Sequence, residues 1–126
     1  MLFRSGEMRT AALLAKGVSG DARAFDAAYA LRAATLNGAK AVGLADRIGS
    51  ITPGKQADLA AIRLDALETE PVFHVVSTLV YAAGRQQVSD AWIAGVRKLE
   101  NGRLAGIDVD ELKTKARGWR GRMTAQ

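Results

Sequence analysis

The chain has 126 residues, 48% of them hydrophobic and 25% charged, with a formal net charge of +5. That is the composition of a globular piece large enough for its own core, not of a disordered or low-complexity segment. No cysteine is present, which excludes a disulfide scaffold, and no run approaches the roughly 18 consecutive apolar residues of a membrane span or the apolar stretch of a signal peptide, so a cytoplasmic protein with no membrane partner is expected.

The amino-terminal third reads as helix. Met8, Ala11, Ala12 and Ala15 recur at helical spacing until Gly17 to Gly20, where two glycines and a serine interrupt the pattern. A second helix is expected behind Asp21 as its cap, with Ala24, Ala27, Ala28, Leu31 and Ala34 in a narrow small-residue stripe and Phe25 and Tyr29 beside it. Asn37-Gly38 breaks that run, and Asn37 is read as the cap of a short helix from Ala39 to Val42 that Gly43 closes.

The middle reads as strand. In Gly49-Ser50-Ile51-Thr52-Pro53-Gly54-Lys55-Gln56-Ala57-Asp58-Leu59, Pro53 presets φ for the first central position of a turn and Gly54 accepts the positive φ of a type II second position. Strands are expected on both sides, Arg47 to Ile51 entering and Ala57 to Leu64 leaving. The run Leu59 to Leu64 is apolar enough to be covered on both faces. Glu68 to Pro71 is a loop, and the apolar stretch Val72 to Ala83 is read as a short helix leading into extended chain. Val88 to Ala94 alternates, Gly95 permits a turn into Val96 to Leu99, and Asn101-Gly102 is a strong hairpin signal from which Arg103-Leu104-Ala105 returns.

The carboxyl end reads as a capped amphipathic helix. Asp108 followed by Glu111 resembles a capping box, and Val109, Leu112, Ala116, Trp119 and Met123 fall on one face at steps of three and four. That face is expected to dock. Glu111 and Lys115 form a favourable pair four residues apart, and Lys113, Lys115, Arg117, Arg120 and Arg122 make the other side basic.

The turn segment Gly49 to Leu59 resembles the carboxyl-terminal signature of metal-dependent amidohydrolases, in the branch of the triazine hydrolases and the methylthioadenosine/S-adenosylhomocysteine deaminases. Gly6 to Lys16 is similar to the helix after that family's last barrel strand, and Ala34 to Leu44 to the helices that leave the barrel. Leu79-Val80-Tyr81-Ala82-Ala83 and Val88 to Gly95 are similar to its return strands. The resemblance runs in order from about Gly6 to the end. It implies an α+β chain made of terminal barrel helices (6–46), the carboxyl-terminal part of a small antiparallel β domain (47–105) and a final helix (106–126), within a parent that is a TIM barrel with a composite β domain. Residues 1–5 depart from the pattern, and an artificial start is expected there.

The resemblance also implies what such an enzyme uses: a divalent metal, zinc or iron, held by a His-x-His pair, further histidines and an Asp, acting on a small nitrogen heterocycle. A catalytic zinc takes about three protein ligands with an open position, and this sequence has one histidine and no cysteine. No catalytic, cofactor-binding or metal residue is therefore assigned. The chain is expected to be an inactive carboxyl-terminal fragment whose partner is the missing amino-terminal region, with self-association through unpaired strands.

Two rival readings draw on other features. A small nucleic-acid-binding module would use the basic helix, but no aromatic stacking platform is interleaved with its cations, so no nucleic-acid partner is expected. An interaction module without chemistry would use the unpaired strands and hold a stoichiometric partner. Single residues read as structural: His74, among Val72, Phe73, Val75 and Val76, as a core or boundary histidine; Asp58 as a hydrogen-bond acceptor for turn backbone; Lys55 as a solvent-facing turn residue; and Asp90 and Trp92 as a cross-strand pair and a packing residue.

Overall fold

A computed structural model describes residues 5–124 as a layer of helices, a four-stranded antiparallel meander and a final helix. Of residues 1–5, where the departure from the pattern is expected, residues 1–4 lie outside the described residues, and Ser5 opens the first helix. The α+β reading holds.

Helix α1 spans Ser5–Ser19, with Glu7 in its first turn and Lys16 in its last, the signs the helix dipole favours. It runs through Gly17 rather than stopping there, and Ser19 bonds back to the Ala15 carbonyl at 2.8 Å. The next helix, α2 (Ala27–Arg32), starts later than Asp21. Phe25 sits at a positive φ of 48°, which no helix starting earlier would accommodate, so Asp26 becomes the cap and accepts from the Tyr29 N–H at 2.8 Å. Asp21 instead accepts from the Arg23 N–H two residues on.

The expected break at Asn37-Gly38 is absent. α2 passes through one π turn (Ala33–Asn37) into α3 (Gly38–Ala41), because Asn37 keeps helical dihedrals and its side chain makes no capping bond. Gly43, at φ 71°, does close the run. Its N–H reaches the Lys40 carbonyl at 3.0 Å and the Leu44 N–H reaches Ala39 at 2.8 Å, the paired bonds of a Schellman motif.

The helical layer is completed by α4 (Val75–Tyr81), which packs on α1 and α2. Met8, Ala12, Ala27, Ala30 and Val80 form the core, with Phe25, Leu31, Val76 and Tyr81 against it. The buried face of α2 is thus Ala27 and Ala30, while Ala28 and Ala34 of the expected stripe face solvent. Alanines let the three helices approach closely, and Val80 is the largest fully buried side chain among the described residues.

The turn at Pro53-Gly54 forms, with Gly54 at φ 90° and the Lys55 N–H on the Thr52 carbonyl at 3.1 Å. Its entering strand does not. Gly49, at φ 91°, is pressed onto the α3 end of the helical layer, where an added Cβ would stand 2.7 Å from the Ala39 Cβ, and this close approach bends residues 47–51 out of extended geometry. Of the backbone–backbone bonds, the Gln56 N–H to Arg47 carbonyl bond, 2.8 Å, links the two sides.

Strand β1 (Leu59–Ile62) pairs with β2 (Val88–Ile93), which pairs with β3 (Val96–Glu100), which pairs with β4 (Arg103–Leu104). Leu59 stands opposite Trp92, Ala61 opposite Asp90, Trp92 opposite Arg97 and Glu100 opposite Arg103. Both tight turns use positive φ at both central residues, Ala94-Gly95 and Asn101-Gly102, as a right-twisted two-residue hairpin demands. β1 is an edge strand with no residue fully buried, so it is not covered on both faces as its sequence suggested. The segment Leu79 to Ala83, expected as a return strand, is the end of α4 and the bend after it. A short 3-10 turn (Arg85–Gln87) then delivers the chain to β2.

Helix α5 (Val109–Thr124) is capped by Asp108, whose Oδ1 accepts from the Asp110 and Glu111 N–H groups at 2.9 and 3.0 Å, and Glu111 pairs with Lys115 at 2.6 Å. Its apolar stripe docks on nothing among the described residues, and Trp119 is 60% exposed. The same holds elsewhere: Ile51, Leu67 and Phe73 are each more than 90% exposed. The chain's accessible surface is 9273 Å², against about 6,500 Å² for a compact monomer of its mass. No described helix is long and apolar enough to cross a membrane.

Candidate functional site

Four polar arrangements hold the architecture together. The first joins α1 to α4: Arg9, one residue past core Met8 on α1, donates from Nε to the Val80 carbonyl at 3.4 Å and from Nη2 to the Ala83 carbonyl at 3.0 Å. These are carbonyls at the carboxyl end of α4, where intrahelical donors run out.

The second is built on Lys55. Its Nζ turns back from the Pro53-Gly54 turn and donates to the Ala45 carbonyl and, at 3.2 Å, to the Ile48 carbonyl. Lys55 is therefore partly buried and fastens the 45–48 loop, not a solvent-facing turn residue. Nothing in its local sequence signals this, since both acceptors are backbone atoms placed by the fold.

Asp58 and Asp90 form the third and fourth. Asp58 Oδ1 accepts from the Ala94 N–H at 2.6 Å, a bond to turn backbone as its sequence position suggested, but to the β2–β3 turn rather than its own. Asp90 Oδ1 accepts from Arg97 Nη2 at 2.5 Å across the β2–β3 pair and from the Asn101 N–H at 3.2 Å; Arg97 also reaches Glu100 at 2.6 Å and lies over the Trp92 ring at 5.7 Å. The Arg97 guanidinium, then Ser89 and the Asn101 N–H, hold the Asp90 carboxyl below the usual carboxylate range, and Asp90 raises Arg97 in return. The exposed Arg63–Asp65 pair shows the same directions for the same reason.

His74 is not a core histidine. Nor is it a boundary residue: it is exposed and caps α4, where Nδ1 accepts from the Ser77 N–H at 3.2 Å. Among the described residues no three His, Cys, Asp or Glu side chains gather closely enough to hold a metal ion. The shallow depression beside the Asn101-Gly102 turn, lined by Glu100, Asn101, Arg103, Leu104 and Ala105, brings no nucleophile and base together. Lys55, Asp58, His74 and Asp90 thus each fasten backbone, and the large exposed apolar surface is what the arrangement offers chemically.

The model of the amidohydrolase family matches residues 2–98. A 5-methylthioadenosine/S-adenosylhomocysteine deaminase of Teredinibacter turnerae is 43% identical over 120 residues, which cover 95% of this chain and 27% of that protein. Its counterpart from Moorella thermoacetica is 41% identical over 106 residues, covering 84% and 25%. Among solved structures, an adenosine deaminase from Xanthomonas campestris with bound zinc superposes with a TM-score of 0.94 at 56% identity over 97% of this chain and 28% of that one. An atrazine chlorohydrolase from Arthrobacter aurescens complexed with zinc gives 0.82 at 25% identity over 90% and 25%. The chain spans about a quarter of the length of the relatives it matches.

Proposed function

Because the chain belongs to the amidohydrolase family, we propose that it serves a cytoplasmic hydrolase of C–N bonds that deaminates adenosine derivatives, a water-derived hydroxyl replacing the exocyclic amine, which leaves as ammonia. Within that enzyme, residues 6–46 supply terminal barrel helices, 47–105 part of a small β domain and 106–126 a closing helix. The observation that carries this reading is the superposition of nearly the whole chain, at 56% identity, on the zinc-bound adenosine deaminase of Xanthomonas campestris.

A divalent metal, zinc or iron, is the cofactor of the whole enzyme in this proposal. The described residues do not fit such an ion: the single histidine is spent on capping α4, and no donor cluster stands near it. This chain therefore contributes scaffold, and by itself is catalytically silent. Its partner is the remainder of the same enzyme, and its uncovered apolar surface and strand edges promote self-association when that remainder is absent.

The test is a graft. Residues 6–126 replace the matching segment of the Teredinibacter turnerae relative, and ammonia release from 5-methylthioadenosine is followed with added zinc. A folded chimera that turns over, beside an isolated chain that does not, is the expected result. A folded but silent chimera, or turnover by the isolated chain that tracks its metal content, overturns the proposal.

A further inference from the structure

Both asparagines of the chain, Asn37 and Asn101, are followed by glycine. A glycine nitrogen has no neighbouring Cβ to obstruct its attack on the asparagine side-chain carbon, so each pair is chemically exposed to loss of its amide. The fold treats the two sites oppositely. Asn37 is half-buried with helical dihedrals of −72° and −36°, and the Gly38 N–H is bonded to the Ala33 carbonyl within the π turn. Bringing the Gly38 nitrogen onto the Asn37 side chain requires rotation of the backbone between them, which would break the run from α2 into α3 beside buried Ala39. Asn101 is exposed at φ 46° in a hairpin tip, and the strand beyond it, β4, is 2 residues long. The Gly102 N–H is held on the Ser89 carbonyl at 2.7 Å and the Asn101 N–H on Asp90 at 3.2 Å, so this corner opens for the loss of few bonds.

We propose that Asn101 is a site of spontaneous deamidation whose product releases β4 from the sheet, while the helix keeps Asn37 intact. The Gly102 nitrogen gives up its proton to solvent and bonds to the Asn101 side-chain carbon; the bond from that carbon to Nδ2 breaks, and Nδ2 leaves as ammonia with a proton from solvent. Water then opens the five-membered imide. Opening at the side-chain carbonyl leaves aspartate, and opening at the main-chain carbonyl leaves isoaspartate, whose backbone runs through the former side chain and is longer by a methylene. Either product sets a new carboxylate next to Glu100 and close to the Asp90 carboxylate that takes the Asn101 N–H. Isoaspartate also moves Arg103 and Leu104 out of register with Glu100 and Leu99. The ammonia is released once per chain and without a metal, so the inference is independent of the deaminase reading.

The test incubates the full chain in mildly alkaline buffer, cuts it with trypsin beside fresh protein, and follows the fragments 33–40 and 99–103 by mass, with chromatography to separate aspartate from isoaspartate. Fragment 99–103 is expected to turn acidic at least about tenfold faster than 33–40, and urea, which unfolds both sites, is expected to remove most of that difference. In the isoaspartate-bearing chain the Ala105 amide, bonded to the Lys98 carbonyl at 3.0 Å, is expected to exchange faster. Asn101→Gly accepts the positive φ of the turn and has no amide to lose, so its Ala105 amide stays protected through the same incubation. No acidic form of 99–103, equal rates at the two sites in the folded chain, faster conversion of 33–40, or an isoaspartate-bearing chain whose Ala105 amide exchanges as in fresh protein each overturns the proposal.

Discussion

Asp58 and Ala94 meet through a single hydrogen bond of 2.6 Å from the Ala94 N–H to the Asp58 carboxylate, which ties the exit of the Pro53-Gly54 turn to the tip of the β2–β3 hairpin. The Gly95 N–H adds a second link to the Ala57 carbonyl at 3.1 Å. Removing the acceptor in Asp58→Ala is expected to cost about 1.5 kcal/mol, the low end for a bond to a charged group because the site is solvent-accessible. Urea unfolding measures the loss, and faster exchange of the Ala94 amide locates it; an unchanged midpoint would dismiss the tie.

Arg9 serves two carbonyls at the end of α4 with one guanidinium. Arg9→Met keeps much of the stem and removes the donors, leaving the carbonyl of fully buried Ala83 without this partner. A loss of about 1–3 kcal/mol is expected, read as a lower urea midpoint with the helical signal of the folded baseline retained. A variant as stable as the parent would show that solvent replaces the guanidinium at no cost.

Gly49 is held at a positive φ of 91° with Ala39 and the Thr35 carbonyl against it. Gly49→Ala places its Cβ 2.7 Å from the Ala39 Cβ and 3.1 Å from that backbone oxygen. Dihedral strain and overpacking together are expected to cost roughly 2 kcal/mol or more, seen as a fall in Tm. Gly54→Ala, strained at φ 90° but in open space, is expected to fall less.

Asp90 has its carboxyl held below the ordinary range, chiefly by Arg97. A depressed folded-state value means that the ion pair stabilises the fold in full above the unfolded carboxyl's value, near about 3.9, and that this contribution is lost as pH falls through the lower folded value. Tm followed from neutral to strongly acid pH should therefore decline less steeply in Asp90→Asn than in the parent. Parallel curves would mean that Arg97 gives the carboxylate nothing beyond what water gives it.

Legibility in the sequence followed the range of the interactions. Gly43, Gly54, Gly95 and Asn101-Gly102 act through their own dihedrals, so the turns they make were readable from the letters alone, as was the Asp108 cap two and three residues from its donors. Asp26 displaced Asp21 because Phe25 adopts a conformation that local propensity disfavours. Arg47 to Ile51 failed as a strand because Gly49 answers to Ala39 and not to its neighbours. The structural roles of Asp58 and Asp90 were visible, while those of Lys55 and Arg9 were not, since their acceptors at residues 45, 48, 80 and 83 converge only after folding. The apolar stripes of β1 and α5 were legible as faces, but periodicity names a face without naming what covers it.

The meander also sets a timetable. β2, β3 and β4 follow one another through two-residue turns, so each pairs with its immediate predecessor as soon as both have emerged, and such hairpins close on the order of 1–10 μs. β1 must instead wait for the intervening α4 segment to loop out before it can zip onto β2, paying a longer closure. In refolding of the whole chain, both hairpins should thus form before β1 joins β2.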